Sequence, residues 1–86
     1  MPEPITYGDL EATLQEFGFE REEVPGSHRT FRHPASGALL LLPCAPLDRE
    51  AHHFHYGQVR DLLADYGFVP RDKFFEVVRS HGRVAG

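Results

Sequence analysis

The stretch Pro25-Gly26-Ser27-His28-Arg29-Thr30-Phe31-Arg32-His33-Pro34 decides how the chain folds. Pro25-Gly26 is a turn signal, and the residues from Ser27 to His33 read as a strand. Side chains alternate along a strand, so His28, Thr30 and Arg32 share one face while Arg29, Phe31 and His33 share the other. Phe31 is the natural core-facing residue, which predicts an outward His28. Pro34-Ala35-Ser36-Gly37 then reads as a hairpin connection. Ala38–Leu42, the most apolar segment, is expected to be a well-covered strand, with Pro43 ending it or marking an edge. On the other side, residues 19–24 alternate poorly but permit a strand with long side chains over one solvated face.

The flanks read as helices. Thr6 is a plausible N-cap with Asp9 three residues on. Leu10, Leu14 and Phe17 recur at helical spacing, and Gly18 suits the stop, which predicts a helix from about 7 to 17 with Phe19 folded back on it. Residues 43–55 hold Pro43, Pro46 and Asp48-Arg49-Glu50 and read as a surface loop. A second helix is expected from Tyr56 or Gly57, burying Val59, Leu62, Leu63 and Tyr66 and ending at Gly67. Pro70 opens a third, short helix carrying Phe74, Phe75, Val77 and Val78, with fraying from His81. The predicted fold is α+β and two-layered: a three-stranded antiparallel sheet with helices on one face, in the order α-β-β-β-α-α. The other sheet face, which carries His28, is left open to a partner.

A chain of 86 residues forms one domain with one modest core and no room for a large enclosed cavity. Its 41% hydrophobic content argues against disorder. The net charge of -4 disfavours a general nucleic-acid binder, but the acids cluster early. Residues 1–24 carry seven acids against one base, whereas residues 25–34 carry Arg29 and Arg32 and no acid. Glu20-Arg21-Glu22-Glu23 reads as a solvated face, or as a contact for a basic partner. Cys44 is the only cysteine, which rules out an intrachain disulfide. The opening residues lack signal-peptide features, and the run Ala38–Pro43 is too short to span a bilayer, so a cytoplasmic location is expected.

The chemistry-bearing residues are mostly histidines. Imidazole titrates near neutral pH and can give or take a proton. His28 on an exposed face, after a glycine that permits close approach, is placed for proton transfer or for contact with a nucleic acid. A surface histidine bonded within the sheet is the plain alternative. Arg32 shares its face and can hold phosphate; Arg29 has the charge but points the other way. Ser27 can reach a phosphate oxygen. His33, beside Pro34, is expected to pack the turn, with an RNA-backbone contact as the alternative. His52, His53 and His55 match no closed zinc motif, so a solvated loop is expected rather than a metal site. Folded against His28, that loop would instead supply the missing acid or base. Cys44 reads as a semi-buried small hydrophobe.

Taken together, Leu10 with Leu14, Gly18-Phe19, Gly26-Ser27-His28, Arg32-His33-Pro34, the strand ending at Pro43, Gly57 with Leu62, Leu63 and Gly67, and Phe74-Phe75 resemble a HicA-family (YcfA-like) mRNA interferase over about residues 6–78. That resemblance implies a fold like a double-stranded-RNA-binding domain. It also implies a toxin of a type II toxin–antitoxin pair, an endoribonuclease that cleaves mRNA without a cofactor or required metal and is neutralised by a HicB-like antitoxin. The family's essential histidine maps onto His28. Gly26, Ser27, Arg29, Arg32 and His33 are then the expected RNA contacts. The chain departs from the family pattern after Pro43, in Cys44-Ala45-Pro46-Leu47 and Ala51-His52-His53-Phe54-His55, and in being acidic. The competing expectation is a non-catalytic domain on the same frame that binds RNA or another protein through the open sheet face.

Overall fold

Thr6 starts the first helix as its spacing suggests. The computed structural model describes residues 4–23 and 28–84, and within it α1 runs Tyr7–Glu16 behind a complete capping box. Thr6 Oγ1 accepts the Asp9 N–H at 3.1 Å, and an Asp9 carboxylate oxygen accepts the Thr6 N–H at 2.9 Å. A cap of this kind contributes about 1 kcal/mol. The next two unpaired donors of the first turn are taken from far along the chain. Tyr7 N–H donates to the Arg49 carbonyl at 3.0 Å and Gly8 N–H to the Leu47 carbonyl at 2.8 Å. A Cβ on Gly8 would lie 2.9 Å from the Leu47 carbonyl oxygen, so this close approach needs glycine. Gly18, at φ +95°, turns the chain out of α1, and Phe19 N–H folds back onto the Leu14 carbonyl.

The sheet has the order β1-β2-β3, all antiparallel: β1 is Glu20–Glu23, β2 is His28–Arg32 and β3 is Leu39–Pro43. The Pro25-Gly26 turn falls outside the described residues. Phe31 opposes Arg21 on β1 and Leu40 on β3, so one face gathers Phe31, Leu40 and Leu42, all buried. The other face carries Glu20 and Glu22, then His28, Thr30 and Arg32, then Leu39 and Leu41. The alternation expected of β2 is therefore present in the fold.

Helices cover only the Phe31 face. α2 spans His53–Asp65, a 3-10 turn spans Arg71–Lys73, and α3 spans Phe74–Val84 and packs on α1. Leu10 and Leu14 of α1, Val59 and Leu63 of α2, and Phe74 and Val78 of α3 close on Phe31 and Leu42 as the core. Each such side chain contributes roughly 1.5–3 kcal/mol when fully buried. The two-layer α-β-β-β-α-α fold read from the sequence is the fold observed.

Several local expectations need correction. β3 is an edge strand, as Pro43 allowed, but it is not well covered: Leu39 and Leu41 stay 54% and 47% exposed, because no element crosses that side of the sheet among the described residues. α2 begins at His53, not near Tyr56, because His52 serves as its N-cap and its Nδ1 accepts the Phe54 N–H at 3.1 Å. His53 and His55 thus lie on a helix, not in a loop. Tyr66 is the C-cap of α2 and is exposed; the buried stripe has already ended at Leu63. Phe75 is also exposed, with the Arg79 guanidinium 5.0 Å from its ring centroid. The helical span of α3 reaches Val84. Cys44 is exposed, and Ala45 takes the buried place beside it.

Candidate functional site

The residues singled out in the central stretch separate into three environments. His28 and Arg32 point to the open face, and both are exposed. His28 lies opposite Pro43 at the end of the β2–β3 ladder, and Arg32 lies opposite Leu39 at the other end. The Arg32 guanidinium is 3.6 Å from Glu22 and 4.0 Å from Glu20, so its charge is shared with the neighbouring strand. These are exposed pairs, each contributing little to stability.

Arg29 points the opposite way. Its Nη1 donates to Glu11 Oε2 at 2.8 Å and reaches the Ala45 carbonyl at 3.3 Å. Arg21 Nη1 meets the other Glu11 oxygen at 3.5 Å. Glu11 is buried, and this pairing ties α1 to β1 and β2 beneath the sheet. Arg29 is therefore a structural cation in this fold, on the face away from His28.

His33 occupies a third environment. Its Nδ1 accepts the Ser36 amide N–H at 3.2 Å and lies 2.8 Å from Ser36 Oγ. Its ring sits 5.1 Å from Phe19 and 4.9 Å from Phe68, centroid to centroid. These contacts are those of a turn-packing residue. Gly26 and Ser27 lie outside the described residues.

The sequence signalled nothing at Tyr7, yet this residue organises a histidine cluster. Residues 47–51 lie along the start of α1: Thr6 bridges to Glu50, and Ala51 N–H donates to the Ile5 carbonyl at 2.8 Å. That registry delivers the first turn of α2 to Tyr7. The Tyr7 hydroxyl accepts the His52 amide N–H at 3.3 Å and lies 2.8 Å from His55 Nδ1. The Tyr7 and His55 rings are tilted at 5.5 Å, and the His52 ring lies 4.2 Å from that of His53 and 6.1 Å from that of His55. His55 is held below the usual imidazole range. Burial contributes most, followed by the charges of His52 and His28. An adjoining cleft of about 670 Å³ is lined by Tyr7, Arg49, Glu50, His52, His53 and Tyr56, among others. Among the described residues, no three His, Cys, Asp or Glu side chains converge as a metal ion would require.

A second shallow groove runs between β3 and α2, past Leu39, Leu40, Phe54, Leu62, Asp61 and Asp65. Its acidic rim is paired: Arg71 Nε donates to Asp61 at 2.9 Å and Arg71 Nη2 to Asp65 at 3.1 Å. Hydrogen bonds from Arg60 and Arg71 hold the Asp61 carboxyl below the ordinary carboxylate range. Among the described residues no helix is long and apolar enough to cross a membrane. Comparison with protein-family models, curated proteins and solved structures finds no match.

Proposed function

We propose that the protein is a metal-independent endoribonuclease acting on single-stranded RNA or mRNA, the toxin of a toxin–antitoxin pair held in check by a HicB-like protein, with His28 as general acid or base. The observation that carries this reading is the exposed imidazole of His28 on the uncovered sheet face, where a sugar–phosphate chain can lie against it. In the reaction the RNA 2′-hydroxyl attacks the adjacent phosphorus, and its proton passes to a base. The bond from phosphorus to the 5′-oxygen breaks, and that oxygen takes a proton from an acid. The products are a 2′,3′-cyclic phosphate and a free 5′-hydroxyl. His28 performs one of the two transfers. Arg32, on the same face, can exchange its Glu22 and Glu20 contacts for a phosphate. Gly26 and Ser27, just before His28, are assigned backbone and hydroxyl contacts to the same phosphate. Arg29 acts indirectly, by fixing β2 to α1.

Incubating the purified chain with single-stranded RNA in EDTA tests this. Wild type is expected to release fragments ending in a cyclic phosphate, and His28→Ala is expected to stay folded and lose at least about 100-fold in rate. Intact RNA with wild type, together with no growth defect on expression, overturns it.

A second reading is favoured by one specific feature. Glu20 and Glu22 flank Arg32 on the open face and oppose an RNA backbone, while Leu39 and Leu41 offer apolar area beside them. A non-catalytic domain that docks a protein there fits these residues. It predicts no salt-dependent RNA affinity, whereas true phosphate binding weakens as salt rises.

A further inference from the structure

We infer that the cleft at the start of α2 is a nucleotide site, taking one nucleotide with a terminal phosphate, either free or at the 5′ end of an RNA strand. Arg49, His52 and His53 meet the phosphate, and Tyr56 and Glu50 meet the base. The inference goes beyond the nuclease reading and does not rest on it, because no residue of β1, β2 or β3 lines this cleft.

The cleft is built by chain pairing. Residues 49–51 run along residues 5–7: Tyr7 N–H donates to the Arg49 carbonyl at 3.0 Å, Ala51 N–H donates to the Ile5 carbonyl at 2.8 Å, and Thr6 bridges to Glu50. Its walls are therefore fixed before a ligand arrives, which lowers the ordering cost of binding. A volume of about 670 Å³ is that of a small-molecule site. Ile5 and Tyr7 are buried and make the inner wall. The Tyr7 hydroxyl is already used by the His52 amide and His55, so Tyr7 shapes the wall rather than binding.

The polar groups at the mouth are unspent. Arg21, Arg29, Arg32, Arg60 and Arg71 each meet a carboxylate, and Arg79 lies over Phe75. Arg49 is exposed and makes no ion pair among the described residues. The His52 ring is set by its capping role: Nδ1 accepts the Phe54 N–H at 3.1 Å, so the neutral ring carries its proton on Nε2, a donor. The His53 ring lies 4.2 Å from it, with 30° between the planes. Two charged imidazoles that close repel each other, and an anion shared with Arg49 removes the repulsion. A phosphate monoester has three terminal oxygens, one for each of these side chains. Tyr56 is held edge-on to Phe74 at 5.0 Å, which fixes the plane on which a base stacks. Glu50 supplies an acceptor for an N–H of the base edge.

The test follows backbone amide NMR signals of the full chain. It is titrated in turn with adenosine 5′-monophosphate, adenosine, inorganic phosphate, and a 5′-phosphorylated single-stranded RNA made uncleavable by methylating every 2′-hydroxyl. The monophosphate is expected to shift the amides of Arg49, Ala51 and His53 together. Adenosine and phosphate each supply only part of the contacts and are expected to bind at least about 10-fold more weakly. Arg49→Gln keeps the backbone pairing with α1 and is expected to weaken the monophosphate about 10-fold, the loss of one charge-assisted hydrogen bond. His53→Gln, which leaves the His52 cap in place, is expected to weaken it by a smaller factor. Cleft shifts with the RNA identify the 5′ end of a strand as the occupant, and shifts with the monophosphate but not the RNA identify a free nucleotide. No cleft shift with either at millimolar concentration, phosphate alone binding as tightly as the monophosphate, or Arg49→Gln binding like wild type overturns the inference. Cleavage enters none of these outcomes, so failure of the nuclease reading leaves the site standing.

Discussion

The two faces of β2 make the most instructive comparison in the molecule. Five consecutive residues place Arg29 and Phe31 against the helices and His28, Thr30 and Arg32 on the uncovered side. Two arginines three positions apart therefore have different roles. Arg29 has a side chain only 19% exposed and a buried carboxylate partner, whereas Arg32 is 47% exposed and shares two solvated glutamates. The covered side supplies the stability of the fold. The uncovered side contributes little to stability and is available for chemistry.

Substitutions that cross this divide should differ in size. Phe31→Ala removes a fully buried ring at the centre of the core and is expected to cost about 3–5 kcal/mol, read as a lowered denaturant midpoint. A loss below about 1 kcal/mol would mean that the helices do not pack on that face as described. Glu11→Ala leaves Arg29 largely enclosed without its carboxylate. The expected loss is about 2–3 kcal/mol, less than for a sealed pair because Arg29 and Arg21 keep some contact with water. The matched change on the open side, Glu22→Ala, is expected to move stability by no more than about 0.5 kcal/mol. Equal losses from the two glutamates would erase the distinction between the faces.

A further small effect is the pH response of His55. Its folded pKa lies below the unfolded value, so the folded state binds fewer protons between the two. The stability it contributes is complete above the ordinary imidazole pKa and is lost as pH falls through the lowered value. Wild type is expected to lose less than about 1 kcal/mol by this route between about pH 7.5 and pH 5, and His55→Gln is expected to show a flatter profile over that range. An unchanged profile would place His55 in bulk solvent rather than under Tyr7.

The parts of the fold that were legible in the sequence have local causes. The Thr6–Asp9 box, the Gly18 exit and the alternation about Phe31 each depend on neighbours within a few residues. What was missed depends on distant ones. Four consecutive leucines read as a well-covered strand, but coverage is decided by where the helices land, and Leu39 and Leu41 remain open. The start of α2 is hidden because histidine is a mediocre helix former, and the apolar period begins only at Val59. Tyr66 fits the same period but falls one residue past the helix end. The Tyr7–His55 contact joins residues 48 apart and has no local signature. Its nearest clue was the cluster of three histidines, which suggested a partner for His28 without naming the tyrosine.

The central claim is that RNA is met by one face of the sheet only. Methyl NMR of the chain titrated at low salt with the uncleavable single-stranded RNA tests it most directly. The account predicts shifts at Thr30, Leu39 and Leu41, with Leu40, Leu42 and Leu63 unmoved. Shifts confined to the buried leucines, or none at saturating RNA, would contradict it.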